Sequence, residues 1–286
     1  MGSAVPCSRQ DPSFPYLGES RRFLFPDPGE SSGDIVALCG NLSPGMLLSA
    51  YEQGIFPWYG PDDPLIWQSP DPRMVIFPES LRVSRSMRKT LAGGEYEIAF
   101  NRDFRAVIRG CAEAERPGQD GTWIDGEIME AYTRLHELGW AHSAEAYIGG
   151  RLAGGCYGIL LPGRRRGGGG LRGDEDQGGQ RGEKGGGGEG GLRREGGPRG
   201  DGDQGRQRGG EGGLRGAVFC GESMFAKRPN ASKAAFLTFA ELLFANGAAF
   251  IDCQVPTEHL RSLGGAEMSR RDFLALLRKT LGAEPV

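Results

Sequence analysis

Long apolar runs are missing from this 286-residue chain, which excludes a transmembrane helix of ordinary length. Its first residues, MGSAVPCSRQDPSFPY, lack the charged start and the apolar stretch of a secretory signal. The six cysteines are scattered without a CxxC pair, so we expect free thiols that are buried or half-buried. These absences predict a cytoplasmic protein that makes no contact with a membrane.

Histidine is also scarce. The three histidines, at positions 136, 142 and 259, are too few and too widely spaced to indicate a metal site. His136 and His142 are six residues apart, so they do not share a helical face as the two histidines of an HExxH motif would. The sequence therefore predicts no metal.

An excess of positive charge is absent as well, because the formal net charge is -3. Any contact with a nucleic acid must then depend on a local basic patch. The best candidate is SLRVSRSMRK, in which Arg82, Arg85 and Lys89 recur at helical spacing and Arg88 adds a fourth charge. This segment is either an RNA contact or an ordinary solvated helix face.

Glycine, by contrast, is abundant and concentrated in one segment. Residues 164–216 hold nearly half of the 50 glycines, no aromatic residue, and GGLR units that begin at Gly169, Gly190 and Gly212. Such a segment buries too little apolar surface to offset its ordering entropy, so we expect a disordered insertion. The flanking sequences, GRLAGGCYGILLPG and AVFCGESMF, resemble strands, which predicts that the insertion lies at a hairpin tip.

The rest of the chain mixes helix and strand patterns. SPGMLLSAYEQG predicts a helix with Ser43 as its N-cap, and AHSAEAYIGGRLAGGCYGIL predicts a hairpin that turns at Gly149 and Gly150. We expect a flexible extension over 1–23, a small α+β domain over 24–75, and a larger mixed α/β domain over 76–286.

Two segments carry polar residues in apolar surroundings. In the predicted strand FIDCQ, Asp252 and Gln254 would face one way, and Ile251 and Cys253 the other. That polar face is either simply exposed or functional. Glu222, within AVFCGESMF, either lies at an exposed strand end or is held to receive a cation.

Several aromatic residues have two possible roles. Each one either packs in the core or provides a stacking platform for an unpaired nucleotide, and periodicity does not separate these readings. The aromatic residues in question are Trp58, Trp67, Trp123, Tyr132, Phe219 and Phe239.

Four long motifs extend this interpretation. IFPWYGPDDPLIWQSPDPR, GTWIDGEIMEAYTRLHELGWAHSAEAY, FCGESMFAKRPNASKAA and IDCQVPTEHLRSLGGAEMSRRDF resemble the leucyl/phenylalanyl-tRNA–protein transferases. The resemblance runs from about Leu24 to Gly163 and from Ala217 to near Leu281. It implies a C-terminal domain with a fold like that of the acyl-CoA-dependent N-acetyltransferases (GNAT-like). It also implies transfer of leucine, phenylalanine or methionine from tRNA to proteins that begin with Arg or Lys, which marks them for degradation.

The resemblance also implies roles for individual positions. An apolar pocket for the aminoacyl side chain would be formed by Cys156, Phe219, Met224, Phe236, Phe239 and Ile251. Cys156 lies where relatives can carry methionine, which predicts a preference for phenylalanine over leucine. The terminal adenosine of the tRNA would contact Trp58, Trp123 and Tyr132. The acceptor would be held by Glu222 and activated by Asp252 and Gln254.

The chemistry of such a transfer needs no cofactor, because the ester of an aminoacyl-tRNA is already activated. The protein has to align the amine with the carbonyl group, take up a proton and stabilise the oxyanion. Glutamine is not basic, so we expect Gln254 to position the amine, while Asp252 or a tRNA hydroxyl takes the proton. Glu222 would pair with the acceptor's cationic side chain.

Two other functions compete with this one. An acyl-CoA-dependent N-acyltransferase would need a loop of backbone N–H groups for a pyrophosphate, and the sequence LLPG followed by the insertion does not supply it. A non-catalytic tRNA-binding protein would bind tRNA without transferring its amino acid. We expect a monomeric enzyme.

Overall fold

A seven-stranded mixed sheet forms the centre of the computed structural model, and a three-stranded sheet is built from residues nearer the N-terminus. The structure describes residues 10–60, 63–114, 122–163 and 214–282, which all belong to one compact unit. The strands are β1 (Ile35–Leu38), β2 (Phe56–Pro57), β3 (Ile66–Gln68), β4 (Arg73–Ile76), β5 (Glu97–Phe100), β6 (Ala141–Ile148), β7 (Arg151–Leu161), β8 (Val218–Ala226), β9 (Phe250–Gln254) and β10 (Ala266–Met268). The helices are α1 (Pro44–Glu52), α2 (Arg85–Ala92), α3 (Phe104–Ala112), α4 (Gly126–Glu137), α5 (Ala231–Ala245), α6 (Glu258–Ser262) and α7 (Arg270–Leu281), and a 3₁₀ turn spans Pro28–Glu30.

The small sheet has the antiparallel order β1-β3-β2, and α1 packs beside it. The predicted start of α1 is confirmed, with Ser43 as the N-cap and a proline in the first turn. The Ser43 hydroxyl does not cap its own helix. Instead, it accepts a hydrogen bond from the backbone N–H of Leu17 at 3.1 Å.

The residues before the small sheet make further contacts with α1. Arg22 forms a two-pronged ion pair with Glu52, the N–H of Phe23 donates to Ser49 Oγ at 2.8 Å, and Leu17 is buried. The flexible extension expected over 1–23 stays a prediction, and side chains of α1 bond to backbone groups of its described part, residues 10–23. Residues 1–9 lie outside the described residues.

The large sheet has the order β10-β4-β9-β8-β7-β6-β5. Its pairs are antiparallel except β8 with β9, which run parallel and therefore need a crossover connection. Helix α5 provides that connection and packs against β6, β7 and β8. Strand β4 belongs to this sheet, so the predicted domain boundary at 75 falls inside one of its strands.

Two hairpins lie next to each other in this sheet. Gly149 and Gly150 both have positive φ (55° and 75°) and connect β6 to β7, which confirms the predicted turn. Strands β7 and β8, which flank the glycine-rich insertion, pair antiparallel up to Leu161 and Val218, so the expected hairpin is confirmed as well. Residues 164–213 lie outside the described residues. At the start of the next described range, the N–H of Leu214 donates to Asn246 O at 2.7 Å.

Hydrophobic clusters cover both faces of the large sheet. One face packs against α1, α3, α4 and α7, with Phe250, Phe273 and Tyr132 among the largest buried side chains. The other face packs against α5 and includes Phe219 and Ile251. The site described below lies where β8 and β9 separate these two clusters.

The cysteines and the helices bear on two expectations. Cys111, Cys156, Cys220 and Cys253 form no disulfide, as predicted, but the expectation is wrong for Cys39, which is disulfide-bonded. Within the described ranges, every helix is too short or too polar to cross a bilayer.

Candidate active site

A buried ion pair anchors the site. Arg73, at the start of β4, donates from Nε to Asp252 Oδ1 at 2.8 Å and from Nη2 to Oδ2 at 2.7 Å, and both side chains are 1% exposed. The guanidinium group also donates to Gly54 O at 3.1 Å and lies over the rings of Phe56 and Phe273. These contacts satisfy the hydrogen-bonding groups of the Arg73 guanidinium. Because both side chains are buried, the Asp252 carboxylate depends on Arg73 for the stabilisation of its charge.

The same carboxylate fixes the backbone of Gln254. The N–H of Gln254 donates to Asp252 Oδ1 at 2.9 Å, and Gln254 has a left-handed φ of 64°. Ile251 and Cys253 pack against the cluster beneath α5, whereas Asp252 bonds to Arg73 and Gln254 bonds to Glu222 on the other side of the strand. The prediction that Asp252 and Gln254 face one way, and Ile251 and Cys253 the other, is therefore confirmed.

Glu222 occupies an irregularity in β8. The register of β8 against β7 shifts near this residue, because Gly158 pairs with Gly221 and Tyr157 pairs with Ser223. The extra residue brings its carboxylate to Gln254, whose Nε2 donates to Glu222 Oε1 at 2.8 Å. The three polar residues predicted for the site are thus linked by hydrogen bonds, with Gln254 between Asp252 and Glu222.

Two buried tyrosines support the second oxygen of Glu222. Tyr132 OH donates to Oε2 at 3.2 Å, and the hydroxyl groups of Tyr51 and Tyr132 are hydrogen-bonded to each other. Burial raises the pKa of both tyrosines well above their usual value, and the Glu222 charge raises it further, so they remain protonated donors at neutral pH.

The Glu222 carboxyl has an unusual affinity for its proton. Burial raises its pKa to about 7, although the hydrogen bonds from Tyr51, Tyr132 and Gln254 favour the charged form. The negative charge of Asp252 adds to the increase. Glu222 is therefore near its titration midpoint at neutral pH, and a cation placed beside it would favour its charged form.

A cavity of about 290 Å³ opens beside Glu222 and Gln254. Its walls are mostly apolar or aromatic, with a few polar groups among them, as is usual for a ligand site. The remaining lining residues are Phe56, Pro57, Trp58, Trp123, Cys156, Tyr157, Phe219, Gly221, Ser223, Met224, Phe236, Cys253, Val255, Thr257, His259 and Leu260.

The cavity includes most of the predicted apolar pocket. Four of its six residues line the wall, and they are Cys156, Phe219, Met224 and Phe236. Phe239 lies behind the wall, with its ring edge-on to that of Phe219 at 5.0 Å, and Ile251 is buried in the same cluster. These two residues support the cavity without lining it.

Two of the three residues predicted to contact the terminal adenosine lie in the cavity wall, and the third does not. Trp58 and Trp123 line the cavity. Tyr132 is fully buried and does not line it, because its hydroxyl is directed at Glu222 and its ring packs against Tyr157. Tyr132 can therefore reach a ligand only through Glu222.

The predicted basic face is exposed but only partly helical. Arg85, Arg88 and Lys89 lie on α2, whereas Arg82 precedes the N-cap Ser84, so the expectation that Arg82 shares their helical face is wrong. The N–H of Arg82 donates to Leu263 O at 2.9 Å, which joins this segment to the end of α6. Because His259 and Leu260 of α6 line the cavity, the basic residues lie beside the elements that form it.

Sequence reasoning missed three residues of the site. Arg73 ends the motif IFPWYGPDDPLIWQSPDPR, and an arginine at the start of a buried strand signals a buried carboxylate partner. Tyr51 belongs to a helix pattern, and its contact with Tyr132 joins positions far apart in the sequence. His259 lines the cavity, although its sequence context indicates no role beyond the excluded metal site.

The chain matches the family described as leucyl/phenylalanyl-tRNA protein transferase over residues 75–167 and 203–278. It also matches the N-terminal domain of the same family over residues 40–71.

Similar proteins are the leucyl/phenylalanyl-tRNA–protein transferases of several bacteria. The Myxococcus xanthus protein is 42% identical over 93% of this chain and 91% of its own length. The Anaeromyxobacter sp. strain K protein is 41% identical over 93% of this chain and 92% of its own length. The Dechloromonas aromatica protein is 40% identical over 92% of this chain and 90% of its own length. With both domains of the family matched and identity of this extent over nearly its whole length, the chain belongs to the leucyl/phenylalanyl-tRNA–protein transferase family.

Proposed function

We propose that this protein transfers a leucyl or phenylalanyl group from tRNA to the α-amine of a protein that begins with Arg or Lys. The names of its relatives support an aminoacyltransferase that uses tRNA and protein as substrates. The observation that carries the finer proposal is the contact between Glu222 and Gln254 at the edge of an apolar cavity. An anionic group and a neutral amide there can hold a cationic acceptor next to a bound apolar side chain.

The aminoacyl side chain enters the apolar part of the cavity, against Cys156, Phe219, Met224 and Phe236. A cavity of this kind discriminates weakly between apolar groups of similar size, so leucine, phenylalanine and methionine are all substrates. Trp58 and Trp123 provide the flat surfaces on which a terminal adenine stacks.

The acceptor binds through its cationic side chain and its neutral α-amine. Its Arg or Lys side chain pairs with Glu222, and the pairing favours the charged form of a carboxyl whose pKa is about 7. Gln254 holds the α-amine in line with the ester carbonyl, and such orientation contributes much of the rate of an intramolecular-like reaction.

Asp252 does not contact the substrate directly. Both of its oxygens accept hydrogen bonds from Arg73, one of them also holds the backbone of Gln254, and its side chain does not line the cavity. We therefore assign Asp252 and Arg73 as positioning residues for Gln254.

Several finer features belong to the proposal as well. The basic residues Arg82, Arg85, Arg88 and Lys89 contact the tRNA backbone, the enzyme acts as a cytoplasmic monomer, and the modified acceptors are directed to degradation. The GNAT-like fold of the C-terminal part, its separation from a domain over 24–75, and the disorder of the insertion remain predictions.

The test is transfer of labelled leucine from charged tRNA to three peptides that differ only in their first residue, Arg, Lys or Ala. The expected result is labelling of the Arg and Lys peptides and little labelling of the Ala peptide. Acetyl-CoA in place of the charged tRNA should give no product. Acetylation without leucyl transfer would indicate an acyl-CoA-dependent enzyme, and tight tRNA binding without any product would indicate a non-catalytic binding protein.

A further inference from the structure

Aminolysis of an ester releases a proton from the attacking amine, so an enzyme with the proposed function needs a group that takes this proton. Asp252 is buried against Arg73 and does not line the cavity. The amide of Gln254 is not basic. Both oxygens of Glu222 accept hydrogen bonds, and the proposed function assigns its charge to the acceptor's side chain. None of the three polar residues is therefore free to take the proton.

The thiols of the cavity wall are no better suited. Burial raises the pKa of both Cys156 and Cys253, so they remain protonated at neutral pH. A thiol that keeps its own proton cannot take up another one.

His259 differs from all of these groups. It lies on α6 and lines the cavity. Its Nε2 atom is withdrawn from solvent and has no hydrogen-bond partner among the residues that the structure describes. An unpaired buried nitrogen is unfavourable, and a catalytic role is one of the reasons for which a site retains such an atom.

The surroundings keep this imidazole neutral. Burial lowers the pKa of His259, and the positive charge of Lys233 on α5 lowers it further. Glu222 and Cys253 share the cavity, and Glu258 and Arg261 neighbour His259 on its own helix, where they pair with each other. A neutral imidazole at physiological pH is available as a base.

We propose that His259 accepts the proton of the attacking α-amine and then returns it to the leaving ribose oxygen. The amine nitrogen attacks the ester carbonyl carbon, and a C–N bond forms as the carbonyl electrons move onto oxygen. His259 takes a proton from the nitrogen, and the intermediate then collapses with cleavage of the bond to the ribose oxygen. That oxygen receives the proton from the imidazolium, leaving a peptide bond and an uncharged tRNA. The inference depends on the proposed function, because it assigns one step of that reaction.

The test compares His259→Gln with the wild-type full-length enzyme in single-turnover leucyl transfer to an Arg-initiated peptide. Glutamine can still donate and accept hydrogen bonds but does not take a proton. The expected result is a transfer rate lower by about 100-fold or more, with the dissociation constant for charged tRNA within about threefold. His136→Gln is the matched control, because His136 stacks on Phe104 outside the cavity wall, and its rate should stay near that of the wild type.

A second variant separates proton transfer from positioning. His259→Ala should be similarly slow, and added imidazole should restore part of its rate in proportion to the concentration of the neutral form. A wild-type rate in His259→Gln would overturn the inference, and so would a loss explained by weaker tRNA binding or a rate that imidazole fails to increase. If the wild-type enzyme itself transfers no leucine, the proposed function fails. If it transfers leucine and His259→Gln does so equally well, only the inference about His259 fails.

Discussion

Replacing Glu222 with glutamine should make the protein more stable at pH 8 while impairing its activity. The Glu222 carboxyl has a pKa of about 7 in the folded protein, compared with an ordinary value of 4.5. The folded state therefore binds more protons than the unfolded state between these two values. The contribution of Glu222 to stability is complete below about pH 4.5 and is lost as the pH rises through about 7.

The size of the effect follows from the shift. A difference of about 2.5 pKa units corresponds to roughly 3 kcal/mol at 1.36 kcal/mol per unit, which is an upper value for a half-buried group. Glutamine has nearly the same shape, can still accept from Gln254, and carries no charge to desolvate. We therefore expect Glu222→Gln to be within about 1 kcal/mol of the wild type at pH 5 and up to about 3 kcal/mol more stable at pH 8.

The assay is denaturant unfolding of both proteins at pH 5 and pH 8, with the difference between them as the measured quantity, because other groups titrate equally in both. Glu130→Gln, an exposed position on α4, is the matched control and should change stability by less than about 0.5 kcal/mol at either pH. A difference for Glu222→Gln that is the same at both pH values would refute the assigned pKa. If the variant were less stable than the wild type at pH 8, the charged Glu222 carboxyl would not lower the free energy of unfolding. That result would refute the view that Glu222 is retained for binding at the expense of stability.

Three further predictions concern the anchor, the cavity and the basic segment. Arg73→Gln leaves the Asp252 carboxylate buried and unpaired, so it should lower the free energy of unfolding by about 3–5 kcal/mol in a denaturant assay. Arg22→Gln breaks a partly exposed ion pair and should lower the same free energy by about 1 kcal/mol or less. Cys156→Met narrows the cavity, so it should reduce kcat/KM for phenylalanyl-tRNA about tenfold more than for leucyl-tRNA in parallel transfer assays; equal losses would place Cys156 away from the side chain. Joint replacement of Arg85, Arg88 and Lys89 with glutamine should weaken tRNA binding, and the slope of the logarithm of the binding constant against the logarithm of salt concentration should become shallower by about 2 to 3. In the same binding titrations, Lys279→Gln on α7 should change neither the affinity nor the slope.

Patterns that act over short distances could be predicted from the sequence. The start of α1 follows from the preference of proline for the first helical turn at Pro44, and the turn at Gly149 and Gly150 follows from their tolerance of positive φ. The same applies to the hairpin around the insertion, because short strands on both sides of a polar segment favour antiparallel pairing.

The arrangement of the site could not be predicted in this way. Arg73 and Asp252 are 179 positions apart, and their contact exists only because β4 pairs with β9. Strand alternation correctly placed Asp252 and Gln254 on one face of β9, but it did not predict the register shift in β8 that brings Glu222 to Gln254. Alternation holds only for regular strands, and functional sites are where strands become irregular.

The family resemblance identified the residues of the cavity more accurately than the pattern rules did. It did not distinguish the residues that line the cavity from those that pack behind the lining. Phe219 and Phe239 are both aromatic and both buried, yet only Phe219 lines the cavity. Which of two packed rings faces an opening depends on how α5, which carries Phe239, packs against β8, which carries Phe219, and no periodicity in either segment encodes that choice.

The central claim is that Glu222 recognises the positive charge of the acceptor's first side chain. The most direct measurement is kcat/KM for leucyl transfer to two peptides, one beginning with arginine and one with its neutral isostere citrulline, using the wild type and Glu222→Gln. We predict that either change alone lowers kcat/KM by at least tenfold, and that both together lower it little further, because each removes the same ion pair. Independent, multiplicative losses would contradict the claim, and so would equal use of both peptides by the wild-type enzyme.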